Sequence, residues 1–336
     1  MKKAMFKLSY LAVSSALTLG ANAFAEEMTT EATKFHAAVG EGQTLPRNVG
    51  RFRLVNSAVT TSRGYDKDGK EVKGDKKSTV FGTAVVAEYG LLDPLSLQVV
   101  APIFFNNSMK DKEANKTYKG QTGLGDIEVG ALYNLFKNDT VTASTGLGVR
   151  FPTGKNEFKT AEEAQALVRT GSGYYDLGLR FNVDLEPVNG VVLSWQDQEE
   201  WGLNKAKMTL PKELGGAKVT SEKTNLSRKG FVQAAFGLGA ATDVLKAFVV
   251  KGRYSYDYDS AVKATIETQD LGLTTTLENR KDSGLVHKYG VGASVDGRGY
   301  NLPLALDVDY DRPFAGRDAE YVSDTFTVAL KSYVRF

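Results

Sequence analysis

Charged side chains recur at alternate positions in stretches whose other positions are apolar. Asp176, Arg180 and Asp184 alternate in this way with leucine, phenylalanine and valine. Charges gathered on one face of a strand can pair with each other, or they can line a path and select what passes along it. For any single residue the ion pair is the simpler interpretation. The candidate lumen-lining residues are Glu88, Asp126, Glu128, Arg150, Asp176, Arg180, Lys251, Arg253, Asp307, Asp309, Lys331 and Arg335.

Residues for catalysis are scarce in this chain. It has no cysteine and two histidines, His36 and His287. A serine beside His287 would supply a nucleophile and its base, but the sequence places no serine there. Residues 123–126, Gly-Leu-Gly-Asp, lack the Lys-Ser/Thr and the helix of a phosphate loop. The sequence therefore predicts no enzyme, no catalytic residue, no metal site and no cofactor.

The elements that position the charges are strands. Several stretches alternate with period two over about ten residues, which is typical of half-exposed strands. Twelve such strands are predicted, near 50–61, 78–90, 94–105, 123–136, 140–151, 173–185, 190–201, 230–241, 246–258, 285–296, 300–310 and 325–336. The stretch 264–277 is β-rich as well, but it lacks an aromatic belt and is interpreted as a protruding hairpin arm.

The connections between these strands alternate in length. Short turns are predicted at 91–94, 137–139, 186–189, 242–245 and 296–299, and longer polar loops at 62–77, 106–122, 152–172, 202–229, 259–284 and 311–324. This alternation is typical of an up-and-down transmembrane barrel with short periplasmic turns and long extracellular loops. A soluble β-sandwich has no reason to sort its loops by length. The predicted fold is an all-β, antiparallel transmembrane barrel of about 12 strands.

The amino terminus has the pattern of a secretory signal. Lys2, Lys3 and Lys7 precede an apolar stretch at 8–20, which is too short to span a bilayer, and Ala23-Phe24-Ala25 is a cleavage site. The alternative is an uncleaved anchor. The predicted division is a signal peptide at 1–25, a segment at 26–49 and a barrel at 50–336. The middle segment either plugs the lumen or forms a periplasmic tail.

The balance of positive and negative charges argues against nucleic acid as a partner. The chain has 42 Lys+Arg and 40 Asp+Glu, so removing the three signal lysines leaves 39 against 40. This balance gives no basic stripe for nucleic acid. The expected partners are outer-membrane lipid, a small-molecule permeant and, through the carboxy-terminal strand, the barrel-assembly machinery.

One segment breaks the alternation. Asp197 and Glu199 share parity with Trp195, although a carboxylate that faces lipid is costly. Either a bulge shifts the register after Trp195, or the upper strand stands above the membrane. With Glu200, these carboxylates are oxygen ligands of the kind that divalent cations take. A solvated rim is the simpler interpretation, because no further ligand is in sight.

Three motifs resemble a known family. They are residues 88–97, Glu-Tyr-Gly-Leu-Leu-Asp-Pro-Leu-Ser-Leu, with Pro102 beyond them; residues 123–126; and residues 148–154, Gly-Val-Arg-Phe-Pro-Thr-Gly. Their order resembles the outer-membrane transporter-like family named for the meta pathway of phenol degradation, a distant relative of fatty-acid and toluene transporters. The resemblance covers roughly 80–155 and the terminal strand, where Ser332 departs from the usual apolar residue.

The resemblance implies a barrel in the outer membrane of a Gram-negative bacterium that passes small, often hydrophobic molecules. The expected function is passive diffusion of small, hydrophobic or aromatic molecules through a narrow lumen. The alternative is a barrel without transport, whose long loops give it a structural, adhesive or receptor role.

The carboxy-terminal strand generates the first prediction. Phe326, Val328, Leu330, Val334 and Phe336 share one parity, and Phe336 is the terminal aromatic. Replacing Phe336 with Asp should impair assembly, because it puts a charge on the apolar face at the end of this strand. The measurement is the amount of heat-modifiable folded protein in outer membranes. Tyr118→Asp, in a predicted loop, is the control, and normal assembly of the Phe336 variant would contradict the prediction.

Overall fold

The structure is a computed structural model, and it describes residues 44–335 except 139, 167, 189, 238–247, 271–272, 282 and 297–303. No helix in these described residues is long and apolar enough to cross a membrane. The predicted signal peptide at 1–25 and most of the segment at 26–49 lie outside the described residues.

The described chain forms eighteen strands, a short helix and one 3-10 turn. The helix is α1 (Ala161–Ala166) and the turn spans Lys212–Leu214. In chain order, the strands are β1 (Val49–Tyr65), β2 (Glu71–Leu92), β3 (Leu95–Asp111), β4 (Lys116–Lys119), β5 (Gly123–Leu124), β6 (Ile127–Lys137), β7 (Val141–Phe151), β8 (Asp176–Val188), β9 (Val191–Gly202), β10 (Ala206–Thr209), β11 (Lys218–Lys223), β12 (Ser227–Gly237), β13 (Phe248–Asp259), β14 (Val262–Asp270), β15 (Leu273–Lys281), β16 (Gly284–Asp296), β17 (Leu304–Arg317) and β18 (Ala319–Arg335).

Twelve of these strands close into an antiparallel barrel. The order is β1-β2-β3-β6-β7-β8-β9-β12-β13-β16-β17-β18, and β18 pairs back onto β1. Each barrel strand overlaps one of the twelve predicted strands. The fold prediction, an all-β up-and-down barrel of 12 strands, is therefore confirmed.

The two faces of each barrel strand differ as the alternation predicts. On β18, Phe326 and Leu330 are 46% and 43% exposed on the outer face, while Thr327 and Lys331 are 3% and 7% exposed on the inner face. Exposed large apolar side chains of other barrel strands, such as Leu54, Val85 and Leu147, lie on the outer face as well. A transmembrane barrel presents such an apolar band to lipid and keeps its polar groups inside.

Two of the predicted long loops are strand extensions instead. β1 and β2 continue to pair as far as Tyr65 and Glu71, which leaves only residues 66–70 as the turn. β17 and β18 are joined at Asp318, whose φ of 50° lies in the left-handed region that tight turns use. The sequence ended these strands too early, because paired backbone groups tolerate polar side chains on both faces once a hairpin stands clear of lipid.

A second sheet stands at the end of the barrel that carries the extended hairpins and the long connections. This end is here called the long-loop end. It has four strands in the order β10-β11-β14-β15. The predicted hairpin arm at 264–277 is the β14–β15 hairpin of this satellite sheet and is not part of the barrel wall. Phe158, Ala164, Met208, Val219 and Ala264 form a small apolar core that joins the sheet to α1.

The long-loop end of the lumen is filled. Val168, from the segment between β7 and β8, packs with Val59, Val80 and Phe104 on the inner wall. The backbone N–H of Gln121 donates a hydrogen bond of 3.1 Å to the carbonyl of Val168, which ties two of the predicted loops together. The inward-facing side chains at this end of the lumen therefore pack against the segment between β7 and β8, which folds inward.

At the opposite end, here called the short-turn end, the chain enters β1 along the inner wall. Thr44 and Leu45 are buried. The Thr44 hydroxyl donates to the carbonyl of Asp93 at 2.7 Å and accepts from Asn134 Nδ2 at 2.7 Å, and the Leu45 N–H donates to Ser96 Oγ at 2.6 Å. Thr44 and Leu45 are thus fixed to the inner wall at the short-turn end.

The topology can be tested by labelling a chain that has no cysteine of its own. A single cysteine at Lys67, in the turn between β1 and β2, should react with an impermeant thiol reagent on intact cells. A cysteine at Lys137, next to a short turn, should react only after the outer membrane is broken. Asn138 is left intact because its side chain accepts the N–H groups of Thr140 and Val141 at 2.9 and 2.7 Å. Equal labelling at both positions would overturn the orientation.

Candidate functional site

The inner wall carries three clusters of charges, of which the first joins β1 to β2. The Glu88 cluster consists of Glu88, Arg51, Arg53 and Gln98. Arg53 lies 3.3 Å from one carboxylate oxygen of Glu88, which also accepts from Gln98 Nε2 at 3.1 Å, and Arg51 Nε contacts the other oxygen. Both arginines and Glu88 are buried, and a buried carboxylate is stabilised only when its oxygens are held in this way.

The second group, the Arg150 cluster, joins the wall to the long-loop end. Arg150 binds Glu200 with two nitrogens at 3.1 and 3.0 Å, and it lies 3.2 Å from Asp176 and 3.5 Å from Glu128. Lys223 of the satellite sheet reaches Asp176 at 2.6 Å. Lys229 reaches Glu200 at 2.7 Å, so three cations face three carboxylates in this cluster.

The third group, the Lys251 cluster, spans β13, β16, β17 and β18. Lys251 lies 3.2 Å from Asp307 and 3.0 Å from Asp309, and Lys331 lies 2.8 Å from Asp307. Arg253 binds Asp311 at 2.7 Å, and Lys288 contacts Asp257. Four cations therefore face four carboxylates here.

Two glycines let the Lys251 cluster form. Gly292 of β16 lies opposite Lys251 on one side and Asp309 on the other, so the ion pair crosses over it. Gly290 takes the same place between Arg253 and Asp311. A Cβ at either glycine would overlap the aspartate side chain that crosses it. The glycines are thus required by the ion pairs that join side chains of β13 and β17 across β16.

The predicted lumen residues have three outcomes in the structure. Glu88, Glu128, Arg150, Asp176, Lys251, Arg253, Asp307, Asp309 and Lys331 lie in the three clusters. Arg180 lines the central cavity beside the Arg150 cluster. The side chain of Arg335 lies outside the described residues.

Asp126 departs from its expected place. It lies just before β6, and its carboxylate accepts the backbone N–H groups of Gly154 and Ser172 at 3.0 and 2.7 Å. It therefore fastens the inward-folded segment between β7 and β8 and is not a residue of the cavity lining. The sequence predicts Asp126 on the inner face because the alternation of β6 was continued one position before Ile127, where the strand begins.

Sequence reasoning missed several members of the clusters. Arg51 and Arg53 alternate with Phe52 and Leu54 in a predicted strand, so the parity rule that selected Glu88 would have found them. Asp311 lies one residue beyond the predicted end of its strand. Lys223 comes from the satellite sheet, and no local pattern reveals its contact with Asp176.

On the outer face, Asp197 resolves the break in alternation. The β8–β9 register runs without a shift from Asp176 to Leu185, so no bulge follows Trp195. Asp197 faces outward, where Arg228 binds its carboxylate with Nε and Nη2 and the Tyr256 hydroxyl donates to it at 2.6 Å. An ion pair thus compensates the outward carboxylate.

The other candidates for chemistry are also accounted for. Glu200 faces the lumen while Asp197 faces outward, and no group of metal ligands is found in the described part of the chain. His287 Nδ1 lies 2.7 Å from the Tyr254 hydroxyl, and the two rings stack at 5.9 Å. With the exposed Phe314 nearby, they form an aromatic patch on the outer face, as expected for a histidine at the rim.

Between the clusters lies a central cavity. The space open to water-sized molecules within it is about 40 Å³, and it lies in a wider recess of about 660 Å³ that includes open solvent. Its wall comes from β2, β3, β6, β7, β8 and β9, and it includes Glu88 and Gln98 on one side and Arg180, Gln198 and Glu200 on the other. In this space a small molecule can contact polar side chains and backbone groups together.

Comparison with known proteins supports the resemblance found in the sequence. Residues 61–202 match the family described as "Putative MetA-pathway of phenol degradation". All three motifs lie inside this segment, so the resemblance to that outer-membrane family is confirmed. No curated protein matches the chain.

Among solved structures, the chain is similar to an outer membrane channel from Pseudomonas putida F1. Their identity is 13%, the alignment covers 88% of this chain and 98% of that one, and the TM-score is 0.65. The Pseudomonas putida toluene transporter aligns over 88% of this chain and 96% of its own at 9% identity, with a TM-score of 0.45. The first likeness shows the fold of an outer-membrane barrel, which confirms the expected location in a Gram-negative outer membrane.

The glycine crossings generate a stability prediction. Gly292→Ala should lower the free energy of unfolding by about 1–3 kcal/mol, because the new methyl group displaces Asp309 from Lys251 and leaves a largely buried charge without its partner. The measurement is the urea dependence of unfolding in detergent micelles.

Gly252→Ala is the matched control for this experiment. Gly252 lies on the outer face of β13, where a Cβ would meet nothing within 4 Å. It should be neutral or slightly stabilising, since alanine loses less backbone entropy than glycine on folding. Equal effects of the two substitutions would show that Gly292 is not required by the ion pair.

Proposed function

We propose that this protein is an outer-membrane channel that passes small, hydrophobic or aromatic molecules by passive diffusion through a narrow lumen. The observation that carries the proposal is the division of the inner wall. Its charges are paired off in clusters, and a continuous apolar patch lies beside them next to the central cavity.

The apolar patch is formed by neighbouring strands. Val55, Ala84, Val86, Val100 and Ala329 are inward-facing, buried and in contact. A lumen that served only water and ions would have little use for such a wall, since buried apolar area favours contact with apolar solutes. Paired charges on the remaining wall hold their partners and leave few free groups to bind water-soluble ions strongly.

The chain segments that fill the two ends of the barrel support a narrow path. An eight-stranded barrel is just filled by side chains and a sixteen-stranded one is open, so twelve strands leave intermediate space. Val168 and its segment occupy the long-loop end, and Thr44 and Leu45 occupy part of the short-turn end. We infer that residues 26–43 extend this occlusion into the lumen.

The proposed partners follow from the two faces and the last strand. The outer apolar band would contact outer-membrane lipid, and β18 would be recognised by the assembly machinery through its terminal aromatic residue. The permeant is the remaining partner. A passive channel of this kind performs no reaction, and the chain is proposed not to be an enzyme and not to bind nucleic acid.

One observation favours a second function. The satellite sheet has its own apolar core and stands at the long-loop end, where it could contact other cells or ligands. In that case the barrel would serve as its anchor. Conductance separates the two functions, since an anchor need not pass any solute.

Deletion of residues 26–43 tests the channel and its occlusion together. Thr44 is kept, because its hydroxyl bonds Asp93 and Asn134 at the mouth of the lumen. The intact protein should conduct weakly in planar bilayers, and the deletion should raise the conductance several-fold. Liposome swelling with solutes of graded size gives the width of the path.

Two other outcomes have distinct meanings. Unchanged conductance after the deletion would show that residues 26–43 are a tail and do not plug the lumen. If neither form passes any solute while both remain heat-modifiable, the channel proposal fails, and the receptor or adhesive role takes its place.

A further inference from the structure

The floor of the central cavity is made of backbone. Gly130, Gly148 and Gly178 lie directly opposite one another on β6, β7 and β8. All three line the cavity. Adjacent strands are about 4.8 Å apart, so the three glycines form a side-chain-free strip roughly 10 Å long. A flat six-membered ring with one substituent fits against such a strip.

At two of these positions, Gly148 and Gly178, the surrounding packing leaves room for a side chain. A Cβ at Gly178 would meet its nearest neighbour, Gln198 Nε2, at 3.7 Å, and one at Gly148 would meet Glu128 Oε1 at 3.5 Å. Both are ordinary contacts, in contrast to Gly290 and Gly292. Glycine weakens a strand interior because it loses more entropy on folding and packs no side chain. The absence of side chains at 148 and 178 is therefore explained by the space that it leaves open.

Arg180 differs from the other basic residues around this space. Arg51, Arg53, Arg150, Lys223 and Lys229 each lie within 4.0 Å of a carboxylate. Arg180 lines the cavity, but it forms no ion pair with any described residue. Its guanidinium is thus a planar cation that is available to a ligand, and it suits a carboxylate with two parallel hydrogen bonds.

The lining of the cavity holds two cations, Arg150 and Arg180, and the charge around it becomes net positive when the cations that pair with the lining carboxylates are included. Four carboxylates line it, and these are Glu88, Glu128, Asp176 and Glu200. Six cations pair with them or line the cavity, and these are Arg51, Arg53, Arg150, Arg180, Lys223 and Lys229. A recess with an excess of one sign concentrates ligands of the opposite sign.

A buried acceptor lies beside Arg180. Gln198 is opposite Arg180 in the strand register and is only 3% exposed. Its Nε2 donates to Glu200 at 2.9 Å, whereas its Oε1 has no hydrogen-bond partner among the described residues. Because a buried acceptor without a partner is destabilising, this oxygen marks a place for a donor from a ligand.

We propose that the central cavity binds a small planar carboxylate that also carries a hydroxyl group. The ring lies on the glycine strip, the carboxylate binds Arg180, and the hydroxyl donates to Gln198 Oε1. This inference rests on the proposed channel function and names the class of molecule that the channel selects. The paired clusters on either side keep their own partners and frame the site.

Binding to the full mature protein in detergent, measured by titration calorimetry, tests the site without requiring transport. The probes are 3-hydroxybenzoate, its neutral isostere 3-hydroxybenzamide, and benzoate, which lacks the hydroxyl. The wild type should bind 3-hydroxybenzoate most tightly, because only this probe satisfies both Arg180 and Gln198.

Three variants separate the contributions. Arg180→Gln should weaken 3-hydroxybenzoate by roughly tenfold or more and leave 3-hydroxybenzamide within twofold, since hydrogen bonds to charged groups are the stronger kind. Gly178→Leu should weaken both probes, because a side chain then covers the strip. Arg63→Gln is the control, since Arg63 pairs with Asp324 near the long-loop end and is not part of the cavity lining.

The outcomes distinguish this site from the channel itself. Equal affinity of the wild type for the acid and the amide, or an Arg180→Gln variant that behaves like Arg63→Gln, would overturn the proposed ligand class. Equal binding of benzoate would overturn the role of Gln198. If 3-hydroxybenzoate binds as expected but the protein passes no solute in bilayers, the binding site stands and the channel function fails.

Discussion

The pairing of the first strand with the last is the constraint on which the rest of the structure depends. β1 and β18 are in register from Val49 and Arg335 to Thr61 and Ser323 without a shift. This pairing removes both free edges, which cannot be tolerated in hydrocarbon because their backbone groups would have no partners. It also determines which side chains face inward, because a slip of one residue would move every charge of a strand to the lipid side.

Closure brings charges together that are far apart in the chain, and the structure deals with them by pairing. The Lys251 cluster shows how specific this pairing is. Carboxylates on β17 reach cations on β13 across an intervening strand, and only glycine at positions 290 and 292 leaves them the room. Removing one partner of a buried pair is strongly destabilising, whereas the pair itself adds little net stability. The clusters therefore specify register more than they add stability.

The sequence predicted the barrel well, because period two is a local signal that survives in each strand. It also predicted the inward face, since parity alone assigns Glu128, Arg150 and Lys251. It failed where the signal is not local. The continuation of β1 and β2 above the membrane has polar residues on both faces, so no alternation marks it. Lys223 reaches Asp176 from a separate sheet, and only the folded chain reveals that contact.

Paired and unpaired charges of the lumen differ in their ability to bind a passing molecule. A lumen cation whose carboxylate is already within hydrogen-bond distance has little left to offer a passing molecule, and a competing anion would first have to displace that partner. Arg180 has no such partner among the described residues, and it stands beside two strand positions, 148 and 178, that forgo a side chain without a packing reason. Selectivity in this barrel is thus expected to depend on the few groups that the clusters leave over. The number of charges on the inner wall is a poor guide to it.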